Sequence, residues 1–316
     1  MKFLEQPPRF LFFTGKGGVG KTSIAAGLGV LAAEQGKRTL VCEVDAKGNL
    51  ADFYESGDTA FKARELQPNL WAMSMNTEES LKEYLSLQLK LPLLSRIGPL
   101  ARTFDFIANA APGVKEILTV GKVAWEVRER HYDFVVVDSV ASGHIIGQLA
   151  APQAINELVQ VGMVRSQTQW MLDILDDPRQ TGVVIVSAPE EMPVNETIEL
   201  ADRLRDETDV DLAAVVVNRV LPELFSGRDE EIFDALREPK QTARLSELAS
   251  GDVEPVLDGA ELAVRLRRAG ASHLATLRQR LPNGLPVLYV PYLFTRSYGA
   301  RATRQLAEHL GEELGY

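Results

Sequence analysis

FLFFTGKGGVGKTS, residues 10–23, decides how the chain is read. The apolar run Phe10 to Phe13 leads into Gly15, Lys16, Gly17, Gly18, Val19, Gly20, Lys21, Thr22 and Ser23, and a helical pattern then runs from Lys21 to Gln35, with Gly36 as its stop. A strand, a glycine turn and a helix in that order aim backbone N–H groups at phosphate oxygens, at the positive end of the helix. The spacing assigns Lys21 to the β- and γ-phosphates and the Thr22 hydroxyl to the Mg²⁺ that bridges them. Thr39 to Val44 supplies the next strand and completes a βαβ unit.

Further β-branched runs follow at Phe134 to Val137, Val183 to Ser187, Leu212 to Val217 and Val287 to Val290, with helical stretches between them. The expected fold class is α/β, a doubly wound, mostly parallel sheet of the P-loop NTPase type. Two stretches break the rhythm. Glu78 to Arg130 has apolar residues at helical spacing (Leu81, Tyr84, Leu85, Leu89, then Ile97, Leu100, Phe104, Ile107) around Pro92, Pro99 and Pro112. Leu221 to Leu281 is helical and more charged, and the reading places a loop between Ala249 and Ala260. The expectation is one domain over residues 1–316, with helical insertions at about 78–130 and 221–281. At the C-terminus, Ala302, Leu306, Leu310 and Leu314 form one apolar stripe, read as a helix packed on the sheet.

Composition narrows the functions. A net charge of −10 opposes binding to phosphate backbones and anionic lipid, so no nucleic-acid partner is expected. The single cysteine, Cys42, allows neither an internal disulfide nor a thiolate cluster within one chain, and points to a reducing, cytoplasmic setting. The N-terminus lacks a signal-peptide pattern and no apolar run is long enough to span a bilayer, so membrane association is at most peripheral.

Two carboxylates are placed for chemistry at strand ends. HYDFVVVDSVASGH, His131 to His144, delivers Asp138 at the end of an apolar strand, a Walker B arrangement that supplies one metal-shell carboxylate. Glu43, Val44 and Asp45 end the second strand beside the phosphate loop, where ligands of a doubly wound sheet bind, and Asp45 read alone is equally a ligand-side carboxylate or a helix cap or strand-end turn. Lys16 lies too far round the loop to duplicate Lys21 and could reach a neighbouring subunit. His144 reads as structural before catalytic.

With its second lysine, Gly15 to Ser23 resembles the deviant Walker A ATPases, and within them the branch that holds ArsA and the guided-entry (GET) ATPases. That resemblance implies ATP and Mg²⁺ as ligands and a face-to-face dimer in which Lys16 contacts the nucleotide of the partner subunit. It assigns Asp45, beside Thr22 and Asp138, to the metal and water side of the site, where it positions the attacking water. Asn49, Leu50 and Asp52 match the family's loop ending, whereas Ala46, Lys47 and Gly48 stand in place of its Pro-Ala-His. Gly143 and His144 match the second switch, in which Ala141 replaces proline. Pro112, Gly113, Glu116 and Val120 resemble a further family stretch, and the resemblance gives Asn218 and Pro291 to the adenine pocket.

The missing thiols exclude iron–sulfur, metalloid and zinc-linked variants and leave an ArsA-like member without those cysteines. Two readings remain. In one, a hydrolysing ATPase couples nucleotide state to a conformational switch, and the helical insertion could shield an apolar protein client during targeting or chaperoning. In the other, a weakly or non-hydrolysing, nucleotide-switched interaction subunit pairs with a paralogous ATPase, which would explain the altered switch residues. The dimer is accordingly either a homodimer or a heterodimer.

Overall fold

The computed structural model describes Leu4 and residues 10–44, 49–89, 113–158, 162–223, 225–295 and 297–316. Its strands are β1 (Phe10–Thr14), β2 (Thr39–Glu43), β3 (Arg64–Gln67), β4 (Leu70–Ser74), β5 (Phe134–Asp138), β6 (Thr181–Ser187), β7 (Leu212–Val220) and β8 (Val287–Pro291). They form one sheet in the order β3-β4-β2-β5-β1-β6-β7-β8, parallel throughout except for the antiparallel β3–β4 pair at one edge. Every residue of β1, β2, β5 and β6 is buried, which requires helices on both faces.

Alternation along the strands divides the core into two layers. Leu11, Phe13, Val41, Phe134 and Val136 face one apolar cluster, and Phe10, Phe12, Leu40, Cys42, Val135 and Val137 face the other. The helices in chain order are α1 (Lys21–Glu34), α2 (Asn49–Tyr54), α3 (Thr77–Leu89), α4 (Val114–Arg128), α5 (Ser142–Leu158), α6 (Met163–Leu175), α7 (Glu191–Glu207), α8 (Gly227–Leu236), α9 (Pro239–Ala249), α10 (Glu254–Arg280) and α11 (Ala300–Leu314). α1 and α11 cover the first cluster, while α4, α5, α7 and the end of α10 cover the second.

α1 is buried almost all round because it lies between the sheet and α11. The apolar stripe of the last helix packs here as its spacing predicts: Leu306, Leu310 and Leu314 are fully buried, each such side chain contributing about 1.5–3 kcal/mol of transfer free energy. Glycines permit the close approach. A Cβ at Gly27 would lie 3.0 Å from the Cβ of Leu306, and one at Gly29 would lie 2.4 Å from Val41 Cγ2.

Two features depart from the sequence reading. The β3–β4 pair was not expected, and the loop placed at Ala249 to Ala260 is only residues 250–253. α10 begins at Glu254 because Pro255 occupies its first turn, where a missing N–H leaves no helical bond unmade. Ile97, Leu100, Phe104, Ile107, Pro92, Pro99 and Pro112 lie outside the described residues. Among those described, no helix is long and apolar enough to cross a membrane.

The packing of α1 makes Gly29→Ala a test. The substitution gains up to about 1 kcal/mol of helix propensity but overpacks against Val41 by about 1–3 kcal/mol. Net destabilisation of about 1–2 kcal/mol is expected from the midpoint of chemical unfolding; a stabilised variant would show that α1 does not lie this close to β2.

Candidate nucleotide site

β1 runs into the glycine loop at Thr14, whose Oγ1 donates to the Val140 carbonyl at 3.1 Å. Gly15 has φ 140°, and a Cβ there would sit 2.1 Å from the carbonyl oxygen of Val186 on β6, so the loop can leave the sheet at this point only through glycine. Gly20 has φ 94°, and a Cβ there would lie 2.4 Å from Asn218 Nδ2. Between them, Gly17 and Gly18 have open space where a side chain would stand. Val19 is buried and fastens the loop to the core. α1 then starts with Lys21, Thr22 and Ser23 in its first turn, and its N-cap Gly20 has no side chain to occupy the helix end.

Parallel register brings the strand ends level. Phe13 of β1 and Glu43 of β2 both lie opposite Asp138 of β5. Asp138 is buried, and its Oδ2 accepts the Thr22 hydroxyl at 2.6 Å. The sequence expected the two oxygen donors in one metal shell, and the structure brings them together across 116 residues of chain. Lys21 Nζ donates to the Lys16 carbonyl at 3.2 Å, which keeps its ammonium within the loop.

The segment after Asp138 is tied to the same loop. Ser139 N–H donates to the Phe13 carbonyl at 3.0 Å and Ser142 N–H to the Gly15 carbonyl at 3.1 Å. α5 starts at Ser142, with Gly143 and the exposed His144 in its first turn. Lys16 forms an ion pair with Glu196 of α7, whose other carboxylate oxygen accepts from Ser142 Oγ at 3.3 Å. No motif pointed to Glu196, since in sequence it is one more charge on an amphipathic helix.

Asn218 lies near the end of β7 and Pro291 ends the adjacent β8, Val220 pairing with Pro291. Asn218 is buried against the loop itself: its Nδ2 donates to the Val19 carbonyl at 2.9 Å, and its Oδ1 accepts the Arg219 N–H at 2.9 Å. Asp45, with Ala46, Lys47 and Gly48, lies outside the described residues. Val44 just before it donates its N–H to the Asp138 carbonyl at 3.0 Å. Of the Pro112 to Glu116 stretch, Gly113 caps α4 with φ 87°, and Val120 is fully buried further along that helix.

A second feature lies among α3, α4, α5 and α6: a cavity of 220 Å³ lined by apolar groups including Leu81, Ile117, Trp125, Ile155, Trp170 and Met171. Lys122 stands at its wall, bonded to Glu83 at 2.8 Å and Glu126 at 2.7 Å. Burial alone would lower the Lys122 ammonium, but the two carboxylates outweigh it and hold it above the ordinary lysine value.

A glycine loop between a buried strand and a helix, with a lysine in the loop and a hydroxyl on a strand-end carboxylate, defines a P-loop nucleoside triphosphatase. A family model described as anion-transporting ATPase matches residues 8–172 and 160–252. The chain belongs to this ArsA family and is an ATP-hydrolysing enzyme. ATPase BagA of Mycobacterium tuberculosis is 27% identical to it over 232 residues, covering 70% of this chain and 68% of that protein. The arsenical pump-driving ATPase of Acidiphilium multivorum is 26% identical over 320 residues, covering 93% of this chain and 53% of its own length. An arsenical pump-driving ATPase of Escherichia coli is 26% identical over 270 residues, 72% of this chain and 42% of its own. The chain thus spans about half the length of these two pump ATPases.

Cys42 lies in β2 with no exposed surface, and burial pushes its thiol far above the ordinary cysteine range. An aromatic disulfide reagent is therefore expected to leave the native protein unmodified and to react once denaturant is added. Prompt reaction in buffer would show that this strand opens.

Proposed function

We propose that the chain works as a dimeric, Mg²⁺-dependent ATPase whose nucleotide state is passed along α5 to the apolar cavity, where it controls the hold on an apolar protein segment. The observation that carries the nucleotide half of this reading is the 2.6 Å contact between Thr22 and Asp138 beside the Lys21 loop. Both are hard oxygen donors, which suits Mg²⁺. When bound, the ion would neutralise charge on the β- and γ-phosphate oxygens. The first turn of α1 and Lys21 bind the phosphates, Thr22 and Asp138 would hold the metal, and Asp45 positions the attacking water. Asn218 braces Val19 and presents its amide beside the base, with Pro291 on the neighbouring strand end.

Support for the coupling comes from α5. Its first residue, Ser142, is hydrogen-bonded to Gly15, and Ile155 of the same helix lines the cavity. Thirteen residues of helix carry a displacement about 20 Å, so loss of the γ-phosphate at one end shifts a wall of the cavity at the other. Lys16 stands at the edge of the loop, where a second subunit facing the sheet's carboxyl edge would bring its own nucleotide. A metalloid cargo, which the names of the two pump relatives carry, does not suit this chain, whose one thiol is buried.

Lys21→Ala should weaken ATP binding at least about 100-fold by calorimetry, whereas Asp45→Asn should keep the affinity and slow hydrolysis about 100-fold or more. Unchanged ATP affinity in Lys21→Ala would remove the phosphate site from this loop. Wild-type turnover in Asp45→Asn would assign the water to another group.

A further inference from the structure

We propose that Glu196 is a latch on Lys16, a positioning residue that holds the loop lysine inside its own subunit until a partner's nucleotide displaces it. The inference rests on the reading that Lys16 acts across a dimer. Glu196 lies in the second turn of α7, and the neighbouring residues fix that turn: Val194 and Thr197 are buried, and Thr197 Oγ1 donates to the Pro193 carbonyl at 2.7 Å. From this fixed platform the carboxylate reaches outward in two directions. One oxygen pairs with Lys16 Nζ, and the other accepts from Ser142 Oγ at 3.3 Å.

The two groups it holds are parts that have to move. Lys16 belongs to the phosphate loop, and Ser142 starts the helix that leads to the apolar cavity. While Glu196 holds the lysine, the ammonium is compensated and cannot lend its full charge to an anion outside the subunit. A phosphate arriving from a partner competes with the carboxylate for the same ammonium, and its success frees the Glu196 oxygen that held Lys16, leaving Ser142 as the carboxylate's remaining partner.

The strength of the pair suits a latch. The two side chains are 31% and 30% exposed, so water screens the attraction. A pair of this kind is worth up to about 1 kcal/mol, roughly fivefold in an equilibrium. A dimer breaks two of them, so removing the carboxylate should shift dimerisation by up to about 25-fold.

The test is specific ATPase activity as a function of protein concentration for the wild type, Glu196→Gln and Glu196→Ala, with melting temperature as a check on folding. The expected result is a wild-type activity that rises with concentration, and variants that reach the same plateau at a lower midpoint, by up to about 25-fold, melting within a few degrees of the wild type. A rising wild-type curve with variant midpoints unchanged or higher overturns the latch and leaves the dimer reading standing. A variant plateau far below the wild type would make Glu196 part of the active assembly, which also overturns the latch. A flat wild-type curve over the range in which sedimentation shows monomer becoming dimer would remove action across the dimer, and the latch with it.

Discussion

A parallel sheet buried on both faces forces its polar and reactive groups to the edge where the strands end, because a strand interior offers them neither water nor partners. In this chain β1, β2, β5 and β6 are buried along their length, and their register brings Thr14, Glu43, Asp138 and Ser187 to the same edge. The glycine loop has to turn in the narrow space above that edge. The positive φ of Gly15 and its contact with Val186, the brace from Asn218 to Val19, and the bond from Thr22 to Asp138 all follow from the same geometry. Thr22 and Asp138 are far apart in sequence yet meet because helix and strand leave the sheet at one level.

The same constraint explains how a site on one edge reaches a cavity elsewhere. α5 lies against the sheet through Ile145, Ile146 and Leu149 of the second core cluster, so a helix that begins at the phosphate loop reaches the cavity that residues of α3, α4 and α6 also line. Its end supplies Ile155 to an apolar space whose wall carries a half-buried lysine held by two carboxylates. The cavity lining includes none of Lys21, Thr22, Asp138 and Asn218, and α5 runs from the phosphate loop to that cavity.

Much of this was legible in the chain itself, for a physical reason. Runs such as FVVVD and TGVVIVS have no amphipathic reading other than a doubly covered strand, and GKGGVGKTS has a turn that few other residues could make. The β3–β4 pair escaped because Arg64 to Gln67 lies half exposed on an edge, where no alternation is imposed. α10 was cut short in the reading because Pro255 and Gly259 resemble a turn, although proline in a first helical turn breaks no bond. Asn218 was placed at the base from the resemblance, and its bond to Val19 adds a bracing role that no pattern carried. Glu196 was invisible because it meets Lys16 only through the fold, 180 residues away.

Nucleotide binding in this site turns on Thr22 and Asp138 sharing one metal shell, so the decisive measurement is ATP affinity by calorimetry with Mg²⁺ and with chelator, for the wild type and Thr22→Val. Wild-type affinity should rise at least about tenfold with Mg²⁺, and Thr22→Val should lose that gain while keeping the metal-free affinity. Wild-type affinity indifferent to the metal, or a full Mg²⁺ effect in Thr22→Val, would contradict the account.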